Sequence, residues 1–578
     1  MEILACCVTA AAYAGTLAFG FVYDDVPQIL KNPAIQDWRY LPQYYTSHVW
    51  AAIYPDSAGN YYRPLFLLWL RLNYALFGAA PAGWHATSIL CHIVATCLVF
   101  RIAQQLTGDR MIGFAAALLF GLHPAHIENV AWISGVTDPL MACFVLGSCA
   151  AFLNFLSSRK VSQLAWSLGL FALALLSKET AVVLPLLIFA LSLVRPGITQ
   201  NNRAPNTRQA DHPPHKAVAA MRQAAPYVLL ALIYAGVRYW ALGGFAHPTI
   251  SIPWTEVFLT WPSVLCFYAK HLLLPLHLSE FYSLNYVGRA TAGSLLWPLA
   301  LLLALGLALY FLIRILPQKQ VASFALALIV LPLLPVLDLR SLTPGDIAHD
   351  RYLYLPSAGF ALLVALSIAA LERYLPERQR VIAPAAFIGI VSLTFAALTL
   401  TEQTQWGNDI RLYSRGAESA SDNLTVRDNL ANALLAANQP ERAIPLYVDV
   451  LKRNPNFWRS NYNLGFTYYK VGNFAAAEQS LQRAILIDNR DADQYIYLAV
   501  VELQLKKLTA AADYARQAIA RNPHARGYYF ILGLICESQG DTKAAITALK
   551  TEVTEHPDNA PATAELQKIE GSAANLRP

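Results

Sequence analysis

Long apolar runs, separated by short polar loops, occupy the first 401 residues of this chain. They fall at 3–22, 84–106, 111–128, 137–157, 162–177, 179–194, 223–242, 257–276, 293–316, 320–338, 352–371 and 381–401. Because about 20 apolar residues in a helix cross a ~30 Å hydrocarbon core, these runs predict membrane-spanning helices. A composition of 56% hydrophobic and 14% charged residues agrees with that prediction. The first run has no Lys or Arg before it, so we expect a retained span and not a signal peptide.

The Lys and Arg residues of the loops predict which side of the membrane each loop occupies. One alternating set of loops is rich in them: Arg101, Arg110, Arg159, Lys160, Arg195, Arg203, Arg208, Lys216 and Arg222. The opposite set has only Lys178 between the third and sixth spans. Since basic loops stay in the cytoplasm, we expect the N-terminus to be cytoplasmic.

The run at 257–276 contains Pro262, Lys270 and Pro275, so we expect it to be re-entrant and not to cross. Eleven spans result, in a membrane domain at 1–401 whose outer loop at 23–83 carries interfacial helices. Everything after Thr401 is then outside. The alanine-rich composition favours a bacterial inner membrane, with the C-terminal region in the periplasm.

Residues 402–578 lack long apolar runs and carry a repeat of constant length. The repeat is marked at intervals of 34 residues by Pro455, Asn489, Pro523 and Pro557. This period, with small residues at fixed offsets that let paired helices approach, is typical of tetratricopeptide repeats. We predict a connecting helix or linker at 402–421, four repeats stacked as an α-solenoid at 422–557, and a C-terminal cap or tail at 558–578. The predicted fold class is all-α.

Ionisable residues gather at the outer rim of the predicted membrane domain. Asp24 and Asp25 directly follow the first span. The rest of the set is His123, His126, Glu128, Asp138, Lys178, Glu179, Glu280, His349, Asp350 and Arg351. Since ionisable groups at a membrane rim mark functional sites, we predict an outward-facing catalytic cavity with Asp24 and Asp25 as its catalytic carboxylates.

The same residues also admit less specific explanations. The acidic pair could be a metal ligand or an ordinary helix end instead of a general base. Three further alternatives are that His123 only ends a helix, that Lys178 is a turn residue reaching the interface, and that Arg351 pairs with Asp350 to hold two spans. The sequence has no His pair at i, i+4 and no CxxC, so it assigns no metal site.

Five sequence pieces occur in order ahead of the repeats. They are FVYDDVPQILKNP (21–33), YYRPLFLLWLRLNYALFG (61–78), LLFGLHPAHIENVAWISGVTDPL (118–140), LLSKE (175–179) and HDRYLYLPSAGF (349–360). In this combination the chain resembles the transmembrane-and-tetratricopeptide-repeat O-mannosyltransferases and their bacterial relatives, within the GT-C glycosyltransferase superfamily. The resemblance covers nearly the whole chain and implies a polytopic membrane domain of GT-C type.

The resemblance implies transfer of a sugar from a polyprenyl-phosphate carrier to Ser or Thr hydroxyls of exported proteins on the periplasmic face. A mannose-like hexose and inversion at the anomeric carbon are expected. The family's first-loop acidic motif matches Asp24 and Asp25, and its phosphate-side motif matches Arg351. A leaving phosphate needs a fixed cation, for which the planar fork of Arg351 is the first candidate and Lys178 the second.

The expected partners are the lipid-linked donor, membrane lipid, and an acceptor protein or peptide held by the repeats. No cofactor is expected, although a divalent cation stays open because oligosaccharide-transferring GT-C enzymes use one. Nucleic acid is not expected, since the net charge of +6 comes without a basic arm. Two other functions fit the sequence: a non-catalytic, membrane-anchored scaffold for envelope or pilus assembly, and a lipid-linked sugar transporter.

Overall fold

The computed structural model describes residues 1–55, 59–194, 213–245, 251–342 and 345–574. The described residues form helices joined by loops and contain no β-strand, which confirms the all-α prediction. The chain divides into two compact units, 1–420 and 421–578. Three basic residues used to predict orientation, Arg195, Arg203 and Arg208, lie outside the described residues.

The first unit is built from helices of very different lengths. In order they are α1 (Glu2–Tyr13), α2 (Pro33–Gln36), α3 (Leu41–Tyr44), α4 (Pro64–Phe77), α5 (Pro81–Thr107), α6 (Arg110–Gly121), α7 (Ile127–Ala131), α8 (Thr137–Ser158), α9 (Val161–Ser177), α10 (Leu184–Ser192), α11 (Pro213–Leu242), α12 (Trp254–Leu273), α13 (Trp297–Ile315), α14 (Lys319–Val330), α15 (Tyr354–Leu371), α16 (Ile382–Glu402) and α17 (Asp409–Ser419).

Seven helical stretches of the described residues are long and apolar enough to cross a membrane. They are Pro81–Thr107, Ser134–Ser158, Lys216–Leu242, Ala292–Ile315, Lys319–Leu337, Asp350–Tyr374 and Glu377–Gly407. An eighth is added if α6 and the segment Pro124–Ala131, which meet at a bend of 55°, count as one span. The first unit is thus a multi-pass membrane domain.

The other three predicted spans correspond to shorter apolar helices, Glu2–Ala18, Val161–Ser177 and Glu179–Ser192. Each is shorter than the ~20 residues that a ~30 Å core requires, so the count of eleven stays a prediction. The break at Lys178 is confirmed, because α9 ends at Ser177. The run at 257–276 is a helix, α12, and is not among the seven stretches.

The interior of the membrane domain is tightly packed around α5, α6, α8 and α15. Gly359 on α15 shows how close the helices come: a Cβ there would lie 2.4 Å from the backbone oxygen of Ala325 on α14. Such an approach excludes any larger residue.

The second unit consists of helix pairs of nearly equal length. In order they are α18 (Leu424–Ala436), α19 (Pro440–Arg453), α20 (Trp458–Lys470), α21 (Phe474–Ile487), α22 (Ala492–Gln504), α23 (Leu508–Arg521), α24 (Tyr528–Ser538) and α25 (Thr542–Glu555), followed by α26 (Ala560–Ala574). The four pairs confirm the predicted repeats. A Cβ on Gly465 would lie 2.7 Å from Leu481 Cγ, which explains the small residue at this repeat position.

Candidate active site

The acidic pair sits directly after a strained turn. The helical stretch Glu2–Ala18 is followed at Tyr23 by a residue whose φ of 54° lies in the left-handed region. A non-glycine residue there costs about 1–3 kcal/mol and persists only where its surroundings hold it. The Tyr23 amide donates to Asp409 Oδ1 at 2.9 Å, and its ring packs edge-on against Phe281. This turn sets the directions of Asp24 and Asp25.

The two adjacent carboxylates have different surroundings. Asp25 is fully buried and accepts three hydrogen bonds: from the Ser134 amide at 2.9 Å, the Ser134 hydroxyl at 2.7 Å and the Val22 amide at 3.3 Å. Burial raises the pKa of Asp25 to about 7, against the lowering effect of these hydrogen bonds. Asp25 therefore joins the acidic turn to the loop before α8.

Asp24 is half-buried, and within the described ranges no group donates a hydrogen bond to its carboxylate. Burial raises the pKa of Asp24 to about 6; the positive charge of Arg351 lowers it, and the negative charge of Asp346 raises it. A carboxylate with an unused oxygen and a pKa near neutrality can accept a proton from a substrate hydroxyl.

Arg351 is held by two buried glutamates and not by its neighbour Asp350. Its Nη1 donates to Glu128 Oε1 at 2.5 Å and to Glu280 Oε1 at 2.9 Å, and its amide donates to Glu128 Oε2 at 3.0 Å. The guanidinium also lies over the Trp132 ring, 5.7 Å from the centroid. Among described residues, Nε and Nη2 have no hydrogen-bond partner, which leaves one edge of the guanidinium available to an anion.

Asp350 has partners of its own. Its Oδ1 lies 2.8 Å from Nδ1 of His271 on α12, and its Oδ2 accepts a hydrogen bond from the Tyr282 hydroxyl. The alternative that Arg351 pairs with Asp350 is thus wrong, because the two adjacent side chains point to different partners. Asp350 ties the loop before α15 to α12.

His349 lies between two carboxylates. Its Nδ1 is 3.6 Å from Glu280 Oε1 and its Nε2 is 3.6 Å from Asp346 Oδ1. Burial, together with the charge of Arg351, lowers the pKa of His349 well below its usual range, so the ring is neutral. Burial and the negative charge of Glu128 raise the pKa of Glu280 well above its usual range.

Lys178 is paired deep in the protein. Its Nζ donates to both oxygens of Asp138, at 2.7 and 2.6 Å, and both side chains are at most 5% exposed. The next residue, Glu179, accepts two hydrogen bonds from Arg63, at 2.9 and 2.6 Å. These two ion pairs join α9 and its following turn to α4 and α8; a phosphate-binding role for Lys178 stays a prediction.

The two histidines of the HPAHIE segment are fully buried. His123 Nε2 lies 3.0 Å from the Leu272 backbone oxygen, and His126 Nε2 lies 2.6 Å from the Ser357 hydroxyl. His123 Nδ1 also accepts from the amide of Ala125, as expected of a residue that begins a helical turn. Both rings have structural partners in the interior, and their role in lining a site stays a prediction.

Sequence reasoning did not single out Asp346 or Ser134. Asp346 lies three residues before His349, the first residue of the HDRYLYLP segment. This closeness in the sequence could have indicated that Asp346 belongs to the same site. Nothing in the sequence marks Ser134 as the partner of Asp25, because the two are 109 residues apart.

A large apolar cavity opens between α12, α13, α14, α15 and α16. Its volume is about 730 Å³, and Tyr268, Leu302 and Leu353 are among its lining residues. Leu353 is two residues from Arg351 in the short helix Asp350–Leu353. One wall of the cavity therefore continues into the segment that carries the guanidinium.

Comparison with protein families gives three matches. The family of dolichyl-phosphate-mannose-protein mannosyltransferases matches residues 62–204. Two tetratricopeptide-repeat families match residues 420–499 and 497–560. The first match includes Arg63, Glu128, Asp138 and Lys178.

The chain is also similar to solved repeat proteins. A crystal structure of MamA is 28% identical and covers 25% of this chain and 85% of that chain, with a TM-score of 0.24. A crystal structure of YrrB, a TPR protein with an unusual peptide-binding site, is 19% identical. It covers 28% of this chain and 85% of that chain, with a TM-score of 0.26. At these TM-scores neither structure supports an inference about this chain.

Curated relatives align with both units. Protein O-mannosyl-transferase TMTC3 of Mus musculus is 25% identical over 94% of this chain and 62% of its own length. Protein O-mannosyl-transferase F38B6.6 of Caenorhabditis elegans is 24% identical over 77% of this chain and 61% of its own. Protein O-mannosyl-transferase Tmtc1 of Drosophila melanogaster is 36% identical over 33% of this chain and 22% of its own length. The chain spans about three-fifths of the length of the first two relatives. With its apolar helices and its repeats, the chain is a relative of the protein O-mannosyl-transferases.

Proposed function

We propose that this chain is a membrane glycosyltransferase that moves a mannose-like hexose from a polyprenyl-phosphate carrier to Ser or Thr hydroxyls of a protein. One observation carries the proposal: Asp24, to whose carboxylate no described residue donates a hydrogen bond, lies within the electrostatic reach of the guanidinium of Arg351. A base and a phosphate-binding cation are the two groups that such a transfer requires.

Asp24 is the general base of the proposed reaction. A serine or threonine hydroxyl is a weak nucleophile at neutral pH until a positioned base removes its proton. The acceptor oxygen forms a bond to the anomeric carbon while the bond from that carbon to the phosphate oxygen breaks. The proton passes to Asp24, the bonding electron pair leaves with the lipid phosphate, and attack from the opposite face gives inversion.

Asp25 is a positioning residue in this proposal. Its three hydrogen bonds use both of its oxygens, so it is poorly placed to receive a proton from the acceptor. It fixes the backbone that carries Asp24, and a base must be held within hydrogen-bond reach of the proton that it removes.

Arg351 stabilises the leaving phosphate. Its edge formed by Nε and Nη2 matches two phosphate oxygens in a planar fork, which a lysine amine does not reproduce. Glu128 and Glu280 fix the guanidinium from the other side through Nη1. A fixed cation stabilises negative charge that develops in the transition state without reorganisation at the moment of reaction.

The apolar cavity supports a lipid-linked donor. Its lining from α12 to α16 suits a hydrocarbon chain, and Leu353 connects it with the segment of Arg351. A polyprenyl tail in this cavity would leave its phosphate near the guanidinium. A soluble nucleotide sugar would have no use for such a cavity.

We further propose that the reaction takes place on the outer face of a bacterial inner membrane, with a cytoplasmic N-terminus and periplasmic repeats. The repeats bind the acceptor polypeptide and raise its local concentration at the membrane. The loop basic residues and the alanine-rich composition support this arrangement.

The test is transfer by the purified chain in lipid nanodiscs, with polyprenyl-phosphate mannose and an exported protein as substrates. We expect mass spectrometry to detect added hexose on the exported protein after reaction with the wild type, and none after reaction with Asp24→Asn. Asp37→Asn, which changes a partly exposed carboxylate of the same outer loop, is the matched control. Normal transfer by Asp24→Asn would overturn the base assignment. A cellular phenotype that needs the repeats but not Asp24 would favour the scaffold function instead.

A further inference from the structure

Three side chains from distant segments converge next to Arg351. Glu128 comes from α7, Glu280 from the loop after α12, and His349 from the loop before α15. A carboxylate oxygen of each glutamate and a ring nitrogen of His349 all lie within 4.8 Å of one another. All three side chains are at most 4% exposed.

Two of the three residues carry a buried side-chain atom that forms no hydrogen bond with any described residue. Among the described residues, no partner is found for Glu280 Oε2 or for His349 Nδ1. Nδ1 is also the ring nitrogen that faces Glu280, at 3.6 Å from Oε1. Buried polar atoms normally have a partner, since an unpaired one has lost its hydrogen bonds to water without replacement. A carboxylate oxygen and an imidazole nitrogen without such partners can both serve as ligands of one cation.

Two carboxyl groups share one guanidinium at this point. Arg351 forms hydrogen bonds with both Glu128 and Glu280 through the same atom, Nη1. Both carboxyl groups are buried, and Oε2 of Glu280 is not used by Arg351. Carboxylate oxygens beside an imidazole nitrogen are groups that hold divalent cations in proteins.

We propose that Glu128, Glu280 and His349 bind a divalent metal ion of the Mn²⁺ or Zn²⁺ type. Carboxylate oxygens suit Mn²⁺, and a set that mixes imidazole with carboxylate also suits Zn²⁺. Three protein ligands leave coordination positions open, as in sites where a metal meets a substrate. The sequence gives no sign of the set because its members lie at 128, 280 and 349.

The ion and Arg351 compete for the same two carboxylates. Nη1 of Arg351 donates to Oε1 of both glutamates, which an ion bound between them would draw away. We therefore expect the charge and the hydrogen bonds of Arg351 to weaken metal binding at these oxygens. The metal site does not depend on the proposed function.

The test is metal binding by the whole purified chain in nanodiscs, without donor or acceptor. After removal of bound metal with a chelator, Mn²⁺ is titrated and the free ion followed by electron paramagnetic resonance; Zn²⁺ is titrated by calorimetry. We expect one saturable site per chain. Glu280→Gln and His349→Gln should each weaken binding at least about 10-fold, as losses in a metal site do.

Arg351→Gln should have the opposite effect on affinity. It removes the guanidinium that competes for the two glutamates, so Mn²⁺ should bind more tightly. His524→Gln, which changes an exposed histidine beside Glu555 in the repeats, should bind as the wild type does. Absence of a saturable site for either ion in the wild type would overturn the proposal, whatever the variants do. So would wild-type affinity in both ligand variants. Transfer is not measured in this experiment, so its failure and that of the proposed function are distinguishable.

Discussion

Asp25 and Ser134 are joined by two hydrogen bonds, from the Ser134 amide at 2.9 Å and from its hydroxyl at 2.7 Å, both to Oδ1 of Asp25. They connect the turn after the first helix to the short helix Ser134–Val136 that precedes α8. Both oxygens of Asp25 are engaged once the Val22 amide is included. The bonds are the reason that the proposed mechanism takes Asp24, and not Asp25, as the base.

Ser134→Ala removes the hydroxyl bond but keeps the amide bond. We expect a loss of about 1–3 kcal/mol in the free energy of unfolding, because a buried carboxylate loses a partner. Transfer should fall as well, since the turn that carries Asp24 loosens. Thermal unfolding in nanodiscs and initial rates measure the two effects. Ser157→Ala, which removes an intrahelical bond to Leu153, is the control and should change little.

The transfer rate should rise with pH because Asp24 must be ionised to accept a proton. With a pKa of about 6, the rate should be half-maximal near pH 6 and level off above pH 7. Asp346→Asn removes a negative charge that raises this pKa, so the midpoint should move to lower pH. A rate that is constant from pH 5 to pH 8 in the wild type would contradict the assignment.

Arg351→Lys keeps the positive charge but loses the planar fork. We expect transfer to fall about 100-fold, the size of effect seen when one fixed donor is removed from a developing negative charge. Single-turnover rates with saturating donor measure it. Arg340→Lys, at another guanidinium that lies over a tryptophan ring, should transfer normally. Equal rates in the two variants would mean that the phosphate is bound elsewhere.

Lys178 and Asp138 provide a test that separates structure from phosphate binding. Lys178→Met leaves a buried carboxylate unpaired and should lower stability by about 3–5 kcal/mol. The double variant Lys178→Met/Asp138→Leu removes both charges and should recover most of that loss, with transfer retained. Thermal unfolding and initial rates distinguish the cases. Recovered stability without transfer would show that Lys178 or Asp138 takes part in the reaction, as the sequence predicts.

Two neighbouring leucines on α13 test the apolar cavity. Leu302 lines it, whereas Leu301 is 61% exposed. Leu302→Trp should fill part of the cavity and raise the KM for a long-chain polyprenyl donor, with a smaller effect on a short-chain donor. Leu301→Trp should leave both values unchanged. The same KM for both donors in Leu302→Trp would exclude this cavity as the lipid site.

The sequence predicted the elements that depend on local pattern. Apolar runs became helices, the 34-residue period became four helix pairs, and the turn at Lys178 ends α9. These features follow from the length and hydrophobicity of each apolar run and from small residues at fixed offsets, all of which can be read from a short stretch of sequence.

The pairing of charged side chains could not be predicted in the same way. Arg351 pairs with Glu128 and Glu280, which are 223 and 71 residues away, and not with the adjacent Asp350. Sequence neighbours at a helix start point in different directions, so adjacency is a poor guide to ion pairs. Only the packing of α7, α12 and α15 brings these groups together.

The hydrogen bond from the Tyr23 amide to Asp409 joins residues 386 positions apart. Asp409 begins α17, beyond the end of α16, in a segment that sequence reasoning treated as a connection between two domains. A shortened protein that stops at the end of α16 would lack this bond and release the left-handed turn at Tyr23. Any fragment made to study the membrane domain alone should therefore extend to residue 420.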